Sequence, residues 1–86
     1  MARYRVEFRP SAEKDLGRLA STMRQRVIDA IWCLADKPRP VGCRKLVGGK
    51  DAYRIRVGDY RIIYTISDIV LVVGIHSIRH RREVYR

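Results

Sequence analysis

The sequence predicts an α+β fold in two layers, an antiparallel sheet covered on one face by a helical hairpin, in the order β-α-α-β-β-β. Three observations carry that expectation. Residues 53–64 alternate apolar and basic side chains around Gly58-Asp59, a two-residue loop of hairpin type. Two consecutive segments between residues 10 and 36 repeat apolar residues at helical spacing. Residues 69–75 are apolar on both faces, as a strand internal to a sheet requires.

Residues 3–8 place Tyr4, Val6 and Phe8 on one face and Arg3, Arg5 and Glu7 on the other, the pattern of a half-buried strand. Pro10 ends it. Pro10-Ser11 suits a helix start, and Leu16 and Leu19 give a short amphipathic helix despite Gly17, which costs about 1 kcal/mol relative to alanine. A second helix starts at Ser21-Thr22, where Thr22 and Gln25 have capping-box spacing. Val27, Ile28, Ile31, Leu34 and Ala35 recur along it, Trp32 widens the stripe, and the helix runs to about Asp36 before Pro38 and Pro40 stop it. The stripe Ile28, Ile31, Trp32 and Ala35 is wider than one small sheet needs, so an amphipathic partner helix can occupy the surplus. Residues 39–51 read as a loop rich in proline, glycine and cations, with Leu46 as its apolar anchor and Arg44, Lys45 and Lys50 adding charge. Gly48-Gly49 lacks the strand-to-helix context of a P-loop or dinucleotide fingerprint.

In the central hairpin the Gly58-Asp59 loop sets Val57 opposite Tyr60, Arg56 opposite Arg61, Ile55 opposite Ile62 and Tyr53 opposite Tyr64. One face is then apolar, while the other carries Arg54, Arg56 and Arg61. Like charges directly across a strand pair cost up to about 1 kcal/mol, a cost that a bound polyanion relieves. A second loop at Ser67-Asp68 would pair Arg61 with Gly74 and leave open space beside that cation. For a lone basic hairpin the simpler reading is a solvated strand face with a glycine bulge. Residues 79–86 form a basic tail that can fold back over the arginines or remain a solvated run, although Tyr85 argues against the latter.

The 86 residues suffice for one domain spanning 1–86 with a thin core. A formal charge of +10 beside 47% hydrophobic residues excludes a disordered basic tail and favours a polyanionic partner. No basic leader precedes an apolar run, and the longest apolar stretch, 69–73, is too short to cross a bilayer, so a cytoplasmic protein without a membrane partner is expected. Cys33 and Cys43 lack metal or redox-motif spacing and read as free thiols. His76 and His80 have i, i+4 spacing, which binds metal only on one helix with a third ligand. No acidic pair, serine or cysteine has a catalytic context. The remaining set, clustered arginines with a terminal tyrosine and nearby histidines, suits phosphodiester chemistry: arginine grips phosphate bidentately and stays charged, and a tyrosine among cations can act as a base.

The order strand, two helices, three strands, the string Tyr-Arg-Ile-Arg-Val-Gly-Asp-Tyr-Arg-Ile-Ile-Tyr at 53–64 and Arg-His-Arg-Arg-Glu-Val-Tyr at 79–85 resemble the RelE/ParE toxin superfamily, close to its RelE branch. The resemblance implies a RelE-like sheet with the first strand beside the last. It also implies the toxin of a type II toxin-antitoxin system, a ribosome-dependent endonuclease that cuts messenger RNA in the A site and is held inactive by a cognate RelB-like antitoxin. No metal or other cofactor is implied. By position, Arg54 and Arg56 match the two basic residues before the turn, Arg61 the phosphate-binding arginine after it, and Arg79 the arginine that opens the tail. Tyr85 matches the tyrosine that activates the ribose 2'-hydroxyl for attack on the adjacent phosphate. Arg44, Lys45, Lys50, Arg81 and Arg82 are the accompanying candidates for RNA contact. Some active relatives carry lysine at the positions of Arg54 and Arg56, and lysine donates a proton more readily than arginine; His80 is the alternative donor. A ParE-like inhibitor of DNA gyrase and a non-enzymatic nucleic-acid-binding module are the other two readings.

Overall fold

The structure is a computed structural model and describes residues 3–84. Its elements are β1 (Arg5–Phe8), α1 (Pro10–Gly17), α2 (Ser21–Asp36), β2 (Arg44–Lys45), β3 (Ala52–Val57), β4 (Tyr60–Ser67), β5 (Val72–His80) and α3 (Arg81–Val84). Five strands make one sheet in the order β1-β5-β4-β3-β2, so the first strand does lie beside the last. The sheet is mixed rather than wholly antiparallel, because β1 runs parallel to β5, pairing Arg5 with Val72 and Phe8 with Ile75. Alternation along a short strand assigns faces and carries no information about direction. The loop expected over 39–51 contains the edge strand β2, with Arg44 opposite Arg54 and Lys45 opposite Tyr53. Two residues are too few for a period to register.

Helices α1 and α2 lie on the apolar face. Ala12, Leu19, Val27, Ile31 and Leu34 pack against Tyr53, Ile55, Ile62, Tyr64, Ile66, Val73, Ile75 and Ile78. Ile31 and Ala35 are therefore core, and only Trp32, at 52% exposure, and half-buried Ile28 remain of the surplus stripe. The capping box does not form. The cap of helix α2 falls two residues earlier, at Ala20, with no side-chain cap, while Gln25 donates to Asp29 Oδ1 at 2.9 Å.

The central hairpin has the expected pairs, and Gly58 sits at φ +59°, the positive angle that a two-residue loop with glycine first demands. The second hairpin differs. Its connection is longer: Ile69 and Val70 are exposed turn residues, and Leu71 takes a positive φ of 55° that lets its carbonyl accept from Arg5 N–H at 2.8 Å. Asp68 anchors this turn by accepting from Tyr4 Oη at 2.5 Å and from Arg39 at 2.9 Å. The arginine bond first, and Tyr4 second, hold the Asp68 carboxyl below its ordinary range. Ser67 then pairs with Val72 and Thr65 with Gly74, which removes Gly74 from beside Arg61. A Cβ on Gly74 would meet Thr65 Oγ1 at 3.0 Å, so the space there adjoins Thr65.

A register shift follows between Ile63 and Tyr64: Tyr64 faces Ile75, but Ile63 faces Ser77, leaving His76 as an extra residue. Strict alternation from Val73 and Ile75 would point Ser77 and Arg79 into the core. The bulge resets the phase, so that Ile78 is buried and Arg79 emerges on the open face opposite Arg61.

Candidate functional site

Three arginines stand in a row across three strands: Arg56 of β3 opposite Arg61 of β4, and Arg61 opposite Arg79 of β5. At about 4.8 Å between strands, their stems fall within about 10 Å of one another. Arg44 and Arg54 form a second pair on the same side, and a groove of about 410 Å³ is lined by Gly42, Arg44, Arg54, Ile55, Arg56 and Arg61. Arg61 is 6% exposed, whereas Arg56 stands in solvent. A buried guanidinium between two others is permanently charged and points five donors in a fixed fork. An oxyanion in this groove gains charge-assisted hydrogen bonds and relieves the cross-strand repulsion at once.

Arg79 reaches the row with help from α1. Strand β1 covers the β5 edge only as far as Ile75, after which Arg9 N–H donates to Ile75 O at 2.9 Å and Ser11 Oγ donates to His76 O at 2.7 Å. Asp15 Oδ2 then accepts from Ile78 N–H at 3.0 Å and lies 3.7 Å from Arg79 Nε. Sequence reasoning did not single out Asp15. Its signal was a carboxylate between Ala12 and Leu19 on the buried face of an amphipathic helix, where charge is rare without a partner.

The other candidates divide. Arg81 starts α3 beside the hairpin loop, where its N–H donates to Asp59 O at 2.7 Å and its guanidinium is 4.0 Å from Asp59 Oδ1. Arg82 is exposed, and its N–H donates to His80 Nδ1 at 3.2 Å. Lys45 pairs with Tyr53 and so faces away from Arg44, and Lys50, in the β2–β3 loop, is not among the groove residues. His80 is directly across from Tyr60 and packs edge-on against its ring at 5.2 Å, on the sheet face opposite Arg61 and Arg79. The structure therefore does not bring His80 to the arginine row. Tyr85 lies outside the described residues. Among the described residues no group of three His, Cys, Asp or Glu side chains is arranged to hold a metal ion, and no helix is long and apolar enough to cross a membrane.

His76, at the bulge, has Nε2 3.3 Å from Thr65 Oγ1, and burial first, with Arg9 second, holds its imidazole below the ordinary 6.5. The unfolded chain then takes up the proton before the folded one does. Stability contributed by neutral His76 is complete above pH 6.5 and is lost as pH falls from there toward the folded value. Thermal unfolding at about pH 7.5 and about pH 5.5 should show a drop on acidification that shrinks in His76→Gln; an unchanged drop removes His76 as its source.

A family model described as the ParE toxin of type II toxin-antitoxin systems matches residues 6–85. The chain is 33% identical over 86 residues to the mRNA interferase toxin RelE of Escherichia coli (strain K12), covering 95% of this chain and 90% of that protein. It is 33% identical over 87 residues to Toxin RelG of Mycobacterium tuberculosis, covering 96% and 97%. Its fold matches a chain of the archaeal RelE-RelB complex from Pyrococcus horikoshii with a TM-score of 0.82 at 31% identity, covering 94% and 97%.

Proposed function

This chain belongs to the ParE toxin family of type II toxin-antitoxin systems, as a RelE-like toxin by sequence and fold, and from that premise we propose that it is a ribosome-dependent endonuclease of messenger RNA that inhibits translation in the cytoplasm. The row Arg56, Arg61 and Arg79, with Arg61 buried between the other two, is the observation that carries this reading. A relative named an mRNA interferase supports it.

In the proposed reaction the ribose 2'-hydroxyl, deprotonated by Tyr85, attacks the adjacent phosphorus. The bond to the 5'-oxygen breaks, leaving a 2',3'-cyclic phosphate and a 5'-hydroxyl. Arg61 and Arg79 stabilise the charge that builds on the phosphoryl oxygens, and Arg54 and Arg56 hold the same phosphate from the neighbouring strand. Arg44, in the groove, and Arg81 and Arg82, beside the hairpin loop, contact the RNA outside the scissile step, whereas Lys45 and Lys50 do not line the groove. With His80 on the far face and the arginines permanently charged, the proton for the departing 5'-oxygen comes from water. Positioning of the substrate by the ribosome supplies several kcal/mol of the barrier reduction, so naked RNA is a poor substrate.

The restraining partner is a RelB-type antitoxin, as in the RelE-RelB complex of the archaeal relative. Its acidic groups would cover the arginine groove, and exposed Trp32 offers an apolar contact. Induction of the chain alone should arrest growth, and co-expression of the antitoxin should restore it. Primer extension on translated messenger should show new 5' ends within codons, while supercoiling by gyrase continues. Arrest with intact messenger and blocked supercoiling would replace this reading by gyrase inhibition, and harmless induction at high level would defeat both.

A further inference from the structure

We propose that Asp15 is a positioning residue for Arg79, setting through its buried carboxylate where that guanidinium stands beside Arg61. The inference rests on the reading of the arginine row as a phosphate site. Asp15 is only 8% exposed, and a carboxylate removed from water needs partners that compensate the lost hydration. It has two, on the same oxygen: the Ile78 N–H at 3.0 Å and Arg79 Nε at 3.7 Å. A neutral acceptor such as an asparagine oxygen or a serine hydroxyl would satisfy the Ile78 amide equally well. The negative charge is required only by Arg79.

The location gives that charge leverage. Arg79 follows the bulge at His76 by three residues, at the point where β1 no longer pairs with β5 and α1 supplies the edge contacts. Bulged strand ends bend more readily than regular ladders. The Arg79 side chain is 48% exposed and directly across from Arg61, so repulsion between like charges favours swinging it outward into solvent. Asp15 opposes that movement: its carboxylate draws Nε of Arg79 toward α1 and so keeps the guanidinium beside Arg61. Its own contacts are with Ile78 and Arg79, so it acts through the arginine and does not touch RNA.

Asp15→Asn keeps an acceptor for Ile78 and deletes the charge. In single-turnover cleavage on programmed ribosomes it should lower the rate by about 10- to 100-fold, the scale of a reacting group displaced by about 1 Å, with ribosome binding nearly unchanged. Asp15→Glu should recover part of the loss. In an Arg79→Ala background Asp15→Asn should cost nothing further, because the group it positions is gone. Equal losses in both backgrounds would make Asp15 merely structural and overturn the proposal, as would a parental rate in Asp15→Asn. A second measurement does not depend on cleavage. The NMR signal of Arg79 Nε–H, identified by its absence in Arg79→Lys, should stand apart in chemical shift from those of the exposed arginines in the parent, because a carboxylate lies 3.7 Å away, and move toward them in Asp15→Asn. A parent signal that coincides with those of exposed arginines overturns the proposal whatever the activity, and it decides the matter if Asp15→Asn does not fold. A parent that fails to cut on ribosomes but shows that displaced signal would instead sink the endonuclease reading alone.

Discussion

Arg61→Ala is expected to cut the single-turnover rate on programmed ribosomes by ~10² to 10³, the loss typical of one preorganised charge-stabilising donor. Arg61 is the member of the row that the fold holds most firmly: it is 6% exposed, on the middle strand β4, with Arg56 and Arg79 directly across on either side. Its guanidinium needs little reorganisation when charge develops on the phosphate, and the low local dielectric strengthens the interaction. Arg56 is exposed and must be ordered by the substrate, so Arg56→Ala should cost less, about tenfold. Removing Arg61 also relieves two like-charge contacts, each costing up to about 1 kcal/mol, which offsets part of the packing lost with its stem. Thermal unfolding measured beside cleavage separates a lost charge from a lost fold. Arg61→Lys keeps charge but not the fork, and should recover only part of the rate. If Arg61→Ala cuts at the parental rate, or if Arg56→Ala, Arg61→Ala and Arg79→Ala weaken ribosome binding equally and leave the rate on bound ribosomes intact, the row is a solvated basic face.

The central hairpin was legible because a two-residue loop with glycine first leaves one register. Each expected pair, from Tyr53 with Tyr64 to Val57 with Tyr60, is present. The next hairpin was not legible, for two physical reasons. Ile69 and Val70 look like strand residues by composition, but at 95% and 66% exposure they are the tip of a turn, and the positive φ of Leu71 gives no sequence signal comparable to glycine. The bulge at His76 then breaks the period of two, so counting from the turn places Gly74 opposite Arg61 where the chain places Arg79. The membership of the row was thus partly read through the pairing of Arg56 with Arg61, while the arrival of Arg79 depends on a defect that alternation cannot express. Asp15 was visible as a carboxylate on an apolar stripe, but its partner Ile78 lies 63 residues away. The helices separate differently. Their existence and faces follow from spacing, whereas how much of the α2 stripe is spare depends on how closely Ile31 and Ala35 approach the sheet, both being 1% exposed.

Tyr85→Phe is expected to leave ribosome binding intact and lower the cleavage rate by ~10² or more, the contribution typical of a general base. The change removes one oxygen atom and keeps the ring, so a tyrosine that serves only to pack or stack would tolerate it. Strand β5 ends at His80, and the chain that leads to Tyr85 departs from beside the Gly58-Asp59 loop, where Arg81 is held by the Asp59 carbonyl and carboxylate. The tail therefore begins at the same end of β3 and β4 that carries Arg56 and Arg61. Weakening that attachment by Asp59→Ala should lower the rate less than Tyr85→Phe does, because it disturbs placement and leaves the chemistry available. The pH profile separates the roles further. A reaction that uses the phenolate of Tyr85 as its base gains rate as pH rises through the range where that hydroxyl is still protonated. The parent should show that slope on programmed ribosomes and Tyr85→Phe should flatten it, whereas Arg61→Ala should lower the whole profile and keep its slope. A Tyr85→Phe protein with the parental rate and slope removes Tyr85 from the mechanism and leaves the proton on the 2'-hydroxyl to water or to the ribosome.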